Sequence, residues 1–397
     1  MRHATKLVSR AEASRAHSSE IMRINAGSLT ETSRPENPRA FASRRPMRHL
    51  PVIALIGLAL VTACAYAAPP GEEAALHVPG ADWEPAPPAT QGFQPERLAK
   101  AVAFAAKSGS TSGMIVRDGR VVAAWGDVAR KSNVHSVRKS FASALAGIAV
   151  ERGQLRLDDT LAKLGIDDEP PALSAEEKQA TVRMLLEARS GIYHPAAYET
   201  EAMQAKRPAR HDHPPGTFWY YNNWDFNAVG ALLEQRTRQG FFDELQADIA
   251  DPIGMQDYRP SDGRYVTEMP ATRYPAYPFS MSARDLARFA LLYLHHGRWG
   301  ARQVVPAAWV AESTRSYSDT SSGGYGYLWW TNVPASGASP PKNPAYWAEG
   351  HLGQFAVVVP SLDLVVVSLD DPRLSNKPMS RTSMLKFLEA IESAQGG

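Results

Sequence analysis

Residues Asn133–Phe141 read NVHSVRKSF. A serine and a lysine, Ser136 and Lys139, stand three residues apart ahead of Phe141, Leu145 and Ile148, apolar positions at helical spacing. Two side chains so spaced share one helical face and lie within hydrogen-bond reach. A serine hydroxyl is a poor nucleophile until a neighbouring base takes its proton. Lysine can be that base if burial and the positive end of a helix lower its pKa. The spacing alone does not separate a nucleophile from a wet helix face. The same pattern recurs at Ser383 and Lys386 in the last amphipathic segment, where it reads as a solvated surface.

Upstream of this stretch, QPERLAKAVAFAAKSG reads as an amphipathic helix ending at Gly109, and GMIVRDGRVVAAWG as two strands joined at Asp118-Gly119. Downstream, residues 154–300 read mostly as helix and loop, including TVRMLLEARSG, FNAVGALLEQRT and SARDLARFALLYLHHG. Strands return in GYGYLWW, QFAVVVP and LDLVVVSL, and RTSMLKFLEAIESA closes the chain as a helix. The expected fold class is α+β. An antiparallel sheet from N- and C-terminal strands is flanked by the terminal helices, beside a mostly helical subdomain over roughly 154–300, with the site in the crevice between them.

The N-terminus belongs to a different argument. Residues 1–46 are polar and basic, without apolar periodicity. From Met47, MRHLPVIALIGLALVTACAYAAPP has the short basic start, apolar run and small residues of a secretory signal peptide over 47–67, too short for a membrane span. Met47 is therefore the expected start, residues 1–46 a dispensable leader, and 68–92 a linker. Cys64 is the sole cysteine, so no intrachain disulfide can form. LVTAC resembles a bacterial lipobox, which makes Cys64 the expected lipidation site, with cleavage after Ala65–Ala67 the alternative. Either route places the protein outside the cytoplasm, in the periplasm, with membrane attachment through lipidated Cys64 in the first case. Residues 1–48 carry 10 Lys/Arg and 4 Asp/Glu, leaving 33 basic against 37 acidic residues in the rest, so the net charge of +2 implies no nucleic-acid partner.

Two further stretches join the first. PPGTFWYYNNWDF, Pro214–Phe226, holds two Tyr-x-Asn registers, Tyr220–Asn222 and Tyr221–Asn223. AEGHLGQFAVVVP holds His351-Leu352-Gly353 ahead of the terminal strands. Lys107-Ser108-Gly109 and His295-His296-Gly297 look alike but read as helix C-caps. Taken together, Ser-x-x-Lys, Tyr-x-Asn and His-x-Gly in this order resemble the serine β-lactamase and penicillin-binding-protein superfamily, specifically its class C-like hydrolases and esterases, 6-aminohexanoate-dimer hydrolases among them. The resemblance runs from about Gln91 to the end. It implies a β-lactamase/transpeptidase-like fold and an acyl-enzyme on Ser136, with Lys139 and Tyr221 as general base. It further implies Asn223 orienting Lys139 and substrate, His351 lining the pocket, Gly353 small against the substrate, and the N–H groups of Ser136 and Gln354 as the oxyanion hole. The Pro-Gly-Thr lead-in favours the Tyr221 register.

His351 stands where β-lactamases and carboxypeptidases usually have lysine. That favours esters or amides over penicillins and D-alanyl-D-alanine peptides, whose carboxylates suit a permanent cation. A small-molecule ester, amide or peptide is the expected substrate, and no cofactor is expected. The competing reading is a penicillin or cell-wall sensor, or a D-Ala carboxypeptidase-like protein, with slow or no turnover. Specificity is expected from the loops Ile192–Pro215 and Thr331–Tyr346. Gly109-x-Thr111-x-Gly113 lacks the serine of a nucleophile elbow, and His211 and His213 read as loop histidines rather than metal ligands.

Overall fold

The computed structural model describes residues 76–396, except Pro170 and Pro340. These belong to the second of two units into which the chain divides after Ala67. Residues 1–75, with the stretch read as a leader and signal peptide and Cys64, lie outside the described residues.

A first helix, α1 (Pro95–Lys107), leads into the hairpin β1 (Ser112–Arg117) and β2 (Arg120–Trp125). Asp118 and Gly119 both take positive φ, 48° and 64°, the backbone that a two-residue hairpin turn requires. Then come β3 (Lys131–Asn133), α2 (Arg138–Glu151), α3 (Asn223–Thr237) and β4 (Ser280–Ser282). A fourth helix, α4 (Ala283–Leu294), follows. The later strands of the main sheet are β5 (Ser318–Thr320), β6 (Gly323–Tyr325), β7 (Trp330–Thr331), β8 (Tyr346–Gly350), β9 (Gln354–Val359) and β10 (Leu364–Leu369), before the closing helix α5 (Arg381–Ser393).

Eight of these strands form one antiparallel sheet in the order β2-β1-β10-β9-β8-β7-β6-β5. The N-terminal hairpin thus joins the C-terminal strands through Met114 opposite Val367. Both faces of the sheet are covered. Ile115, Val357 and Val366 pack with Leu98 of α1 and Phe387 of α5; Met114, Val358 and Val367 pack with Phe141 of α2 and Phe289 of α4. Double-sided burial explains why QFAVVVP and LDLVVVSL are continuous apolar runs rather than alternating ones.

α2 departs from the amphipathic expectation. Every residue from Arg138 to Ala149 is buried, because helices and sheet enclose it on all sides. The stretch read as a linker also departs, over residues 76–92. Val121 N–H donates to Glu84 O, Trp83 Nε1 donates to Arg284 O, and the buried Arg288 guanidinium donates to the carbonyls of Gly80 and Ala81 at 2.7 and 3.0 Å. A buried guanidinium must find acceptors, and it takes them from this strap. Between α2 and α4 the fold is mostly helix and loop; there Val266–Glu268 pairs with Thr272–Ala276, and β4 pairs back with β3, which precedes α2.

Candidate active site

Ser136 lies in a single 3-10 turn, His135–Val137, immediately before α2, and Lys139 follows in the first turn of that helix. Lys139 Nζ is 2.9 Å from Ser136 Oγ and 2.8 Å from the Tyr221 hydroxyl. Tyr221 is brought there by the start of α3. Asn222 caps that helix by accepting from Trp224 N, and its amide donates to Ile192 O at 2.6 Å and to Asp225 Oδ1 at 2.9 Å. The register is therefore Tyr221–Asn223. Tyr220 also lines the cavity but donates to Met203 O, away from Lys139.

Lys139 is 2 % exposed, with Nζ 4.4 Å from the centre of the Tyr221 ring and 4.6 Å from that of Phe226. Burial, reinforced by the neighbouring Arg138 cation, holds its pKa well below the ordinary lysine value. Burial pushes Tyr221 the other way, up to about 12. Of the two groups beside Ser136, the amine is the one that burial shifts toward its neutral, proton-accepting form.

Ser136 and Tyr221 line a cavity of about 620 Å³, with Lys139 buried behind them. Trp219, Tyr220, Tyr221 and Trp330 give it an aromatic wall, with the Tyr221 and Trp330 rings stacked at 5.4 Å. A second wall is the segment from Tyr198 to Lys206, which includes a short helix, Glu201–Gln204. That wall is held from outside: Tyr198 N–H donates to Glu268, Glu199 pairs with Arg207, and Asn223 Nδ2 donates to Tyr198 O at 2.8 Å. The third side is the end of β8, Glu349–Gly350, and His351. Arg381 enters here as well, its Nε 2.7 Å from Glu349 Oε2 and its guanidinium carbon 4.0 Å from the centre of the Trp330 ring.

Three expectations need correction. Asn223 lines the cavity, but its amide holds the Tyr198 carbonyl rather than Lys139, and its Oδ1 has no partner among the described residues. Gly353 and Gln354 do not line the cavity. Gly353 is packed against Met379, whose N would lie 2.8 Å from an added Cβ, and Gln354 is fully buried with its amide donating to Leu352 O and Asp370 O. The residue that must be small beside Ser136 is Gly350. A Cβ there would fall 2.2 Å from Val134 O and 3.2 Å from Ser136 N. The motif was placed three residues too late because His351–Gly353 is the turn between β8 and β9, not the strand itself.

His351 does line the cavity, exposed at its edge, its ring edge-on to His135 at 5.7 Å. Of the two specificity loops, Ile192–Pro215 supplies the second wall, whereas Asn332, Pro334, Ser336, Ser339 and Pro341 border a separate surface hollow. Sequence reading missed His135, Tyr198, Glu349, Gly350 and Arg381. Glu349 and Gly350 adjoin a quoted motif, while Arg381 opens a helix whose pattern gives no hint of a site. Ser383, the decoy serine, hydrogen-bonds the Ser380 cap, and Lys386 is exposed. Among the described residues no group of three or more His, Cys, Asp or Glu side chains is placed to share a metal ion.

The sequence profile of the Beta-lactamase family matches residues 98–378. The chain belongs to that family. No protein of curated function matches it in sequence. Among solved structures it is similar to a 6-aminohexanoate-dimer hydrolase, so described, from Bacillus anthracis, at 17 % identity and a TM-score of 0.59, covering 79 % of this chain and 86 % of that one. The octameric penicillin-binding protein homologue of Pyrococcus abyssi follows at 19 % identity and 0.56, covering 75 % and 77 %. EstCE1, a hydrolase with promiscuous acyltransferase activity, is similar at 18 % and 0.53, covering 75 % and 99 %. At these identities the structures establish the shared β-lactamase/transpeptidase-like fold. The family profile spans Ser136, Tyr221 and Gly350 alike.

Proposed function

We propose that this β-lactamase-family protein is an exported serine hydrolase that cleaves an ester or amide through an acyl-enzyme on Ser136. The observation that carries the reading is Lys139, buried and depressed in pKa, touching both Ser136 Oγ and the Tyr221 hydroxyl, two residues that line the aromatic cavity. Neutral Lys139 takes the Ser136 proton as Oγ bonds to the carbonyl carbon and the carbonyl electron pair moves onto oxygen. As the tetrahedral centre collapses, the leaving group departs with that proton, relayed through the Tyr221 hydroxyl. Water then repeats the sequence on the acyl-enzyme. The backbone N–H of Ser136 is one oxyanion donor, and the Gly350–His351 segment beside it supplies the second in place of Gln354.

Arg381 bears on substrate class. The cavity holds a permanent cation that the His351 argument left out, but Glu349 neutralises it at 2.7 Å. Neutral esters or amides therefore remain the favoured substrates over free carboxylates. Asn223, its Oδ1 unpartnered, is assigned to an N–H donor on the substrate or its leaving group. Export, with lipid attachment at Cys64, belongs to the same proposal and rests on the apolar run preceding that cysteine.

The test is a panel of chromogenic esters and amides, a chromogenic cephalosporin and D-Ala peptides against residues 68–397, run beside a fluorophosphonate label. Turnover of neutral substrates with labelling at Ser136 is expected. Persistent labelling without turnover of any substrate would replace the hydrolase by a sensor.

A further inference from the structure

His135 precedes the nucleophile and belongs to none of the three motifs. Its backbone is left-handed, φ 49°, a conformation histidine adopts more readily than most side chains. Its backbone N–H donates to Asn133 Oδ1 at 3.0 Å. Since an amide N–H can only donate, this bond fixes the orientation of the Asn133 amide. Asn133 Nδ2 accordingly donates to the Tyr198 oxygen at 3.0 Å, and that oxygen lies 3.1 Å from His135 Nδ1. Tyr198 has one proton to give, and Nδ1 is the acceptor beside it. The chain of donation thus runs from Asn133 through Tyr198 to His135, which leaves the imidazole proton on Nε2.

The surroundings keep the ring uncharged. Burial lowers its pKa to about 4, and the basic groups around it act in the same direction: His351 from the turn after β8, Arg138 and Lys139 from α2, and Arg264 from the loop before Val266–Glu268. No carboxylate is among them. Nε2 makes no hydrogen bond among the described residues, and the half-buried ring lines the cavity beside Ser136.

We infer that His135 is a specificity-determining residue, a neutral imidazole whose Nε2–H donates to an uncharged oxygen that the substrate carries near the scissile carbonyl, such as a second ester, amide or ether oxygen. This rests on Ser136 being the nucleophile. A site that presents a fixed donor discriminates against a substrate lacking the acceptor, because the donor is then left unpaired. The sign of the charge matters as well. An imidazolium would draw carboxylates, whereas the neutral ring selects neutral acceptors.

The experiment compares two chromogenic esters that differ at one acyl-chain position, ether oxygen in one and methylene in the other. In His135→Phe the loss of kcat/KM on the oxygen-bearing ester should exceed the loss on its carbon analogue about tenfold. Equal losses on the two esters overturn the inference. Phenylalanine tolerates φ 49° less readily, so nitrogen-15 NMR of the histidine-labelled wild-type protein is the second measurement. A neutral Nε2–H ring at about pH 7 that becomes a tautomer mixture in Tyr198→Phe is expected; an Nδ1–H or doubly protonated ring in the wild type overturns the inference. Fluorophosphonate labelling is read in parallel. Failure to label Ser136 removes the nucleophile reading, and the substrate contact with it, while a labelled protein with equal ester losses removes the His135 contact alone.

Discussion

Lys139 meets the Tyr221 hydroxyl at 2.8 Å beneath the ring of Phe226, in a place where a charged ammonium has no carboxylate to pair with. This contact joins α2 to the start of α3, and it makes the acid–base properties of the site a consequence of burial. It also sets the pH profile. The neutral fraction of Lys139 grows as pH rises through its lowered pKa, so kcat/KM should climb with pH along an acidic limb. An activity profile with no acidic limb would show that Lys139 is not the base.

The same burial makes a stability prediction. The unfolded chain binds the lysine proton more readily than the folded one, which penalises the native state at every pH below the ordinary lysine value. Lys139→Met should therefore be inactive yet more stable, by on the order of 1 kcal/mol. The gain should be full below the folded pKa and fade as pH rises toward the ordinary value. Denaturant unfolding at two pH values measures it.

Ser136→Ala should lower turnover by roughly 10³-fold or more and abolish fluorophosphonate labelling, with an unchanged circular dichroism spectrum. Ser383→Ala should leave both intact, since that serine belongs to the helix cap of α5. Equal labelling of the Ser136→Ala protein would remove the assignment.

Gly350→Ala tests the corrected position of the third motif. Its Cβ would meet Val134 O at 2.2 Å and press toward Ser136 N at 3.2 Å, displacing the nucleophile turn. Activity should fall by far more than the modest shift in unfolding midpoint explains. Gly353→Ala should show the opposite balance, since its strain, at φ 80°, is directed at Met379.

His351→Lys should shift the ratio of kcat/KM toward carboxylate-bearing substrates, by on the order of 1 kcal/mol because an exposed edge position is screened. Glu349→Gln should shift it the same way by releasing Arg381. A wild-type enzyme that already prefers D-Ala peptides to every neutral ester would contradict both.

Much of this architecture was legible in the chain. The Asp118-Gly119 hairpin, the double-faced strands and the terminal helices follow from short-range patterns, and the Ser136–Lys139–Tyr221 cluster from the order of its motifs. What was not legible depends on contacts made across the fold. His351-Leu352-Gly353 reads like the start of a strand, but Leu352 and Gly353 take φ 61° and 80°, and the strand that approaches Ser136 ends one residue earlier, at Gly350. Arg381 reaches the cavity because α5 packs across the sheet next to β8, which no local pattern encodes. The strap over residues 76–92 reads as Pro- and Ala-rich linker because much of what it offers the Val121 N–H and the Arg288 guanidinium is its own backbone carbonyls, which carry no sequence signal.

The enclosure of α2 has a consequence for how such a protein can diversify. The wall that carries Ser136 is embedded in the core, so substitutions there disturb folding before they disturb selectivity. The opposite wall, from Tyr198 to Lys206, hangs from a few bonds through Tyr198, Glu199 and Asn223. Its intervening residues, Thr200, Ala202 and Lys206, face the cavity without serving the core. Substrate range is therefore free to drift by exchange within this seven-position stretch of 200–206, while the chemistry on the other side of the cavity stays fixed.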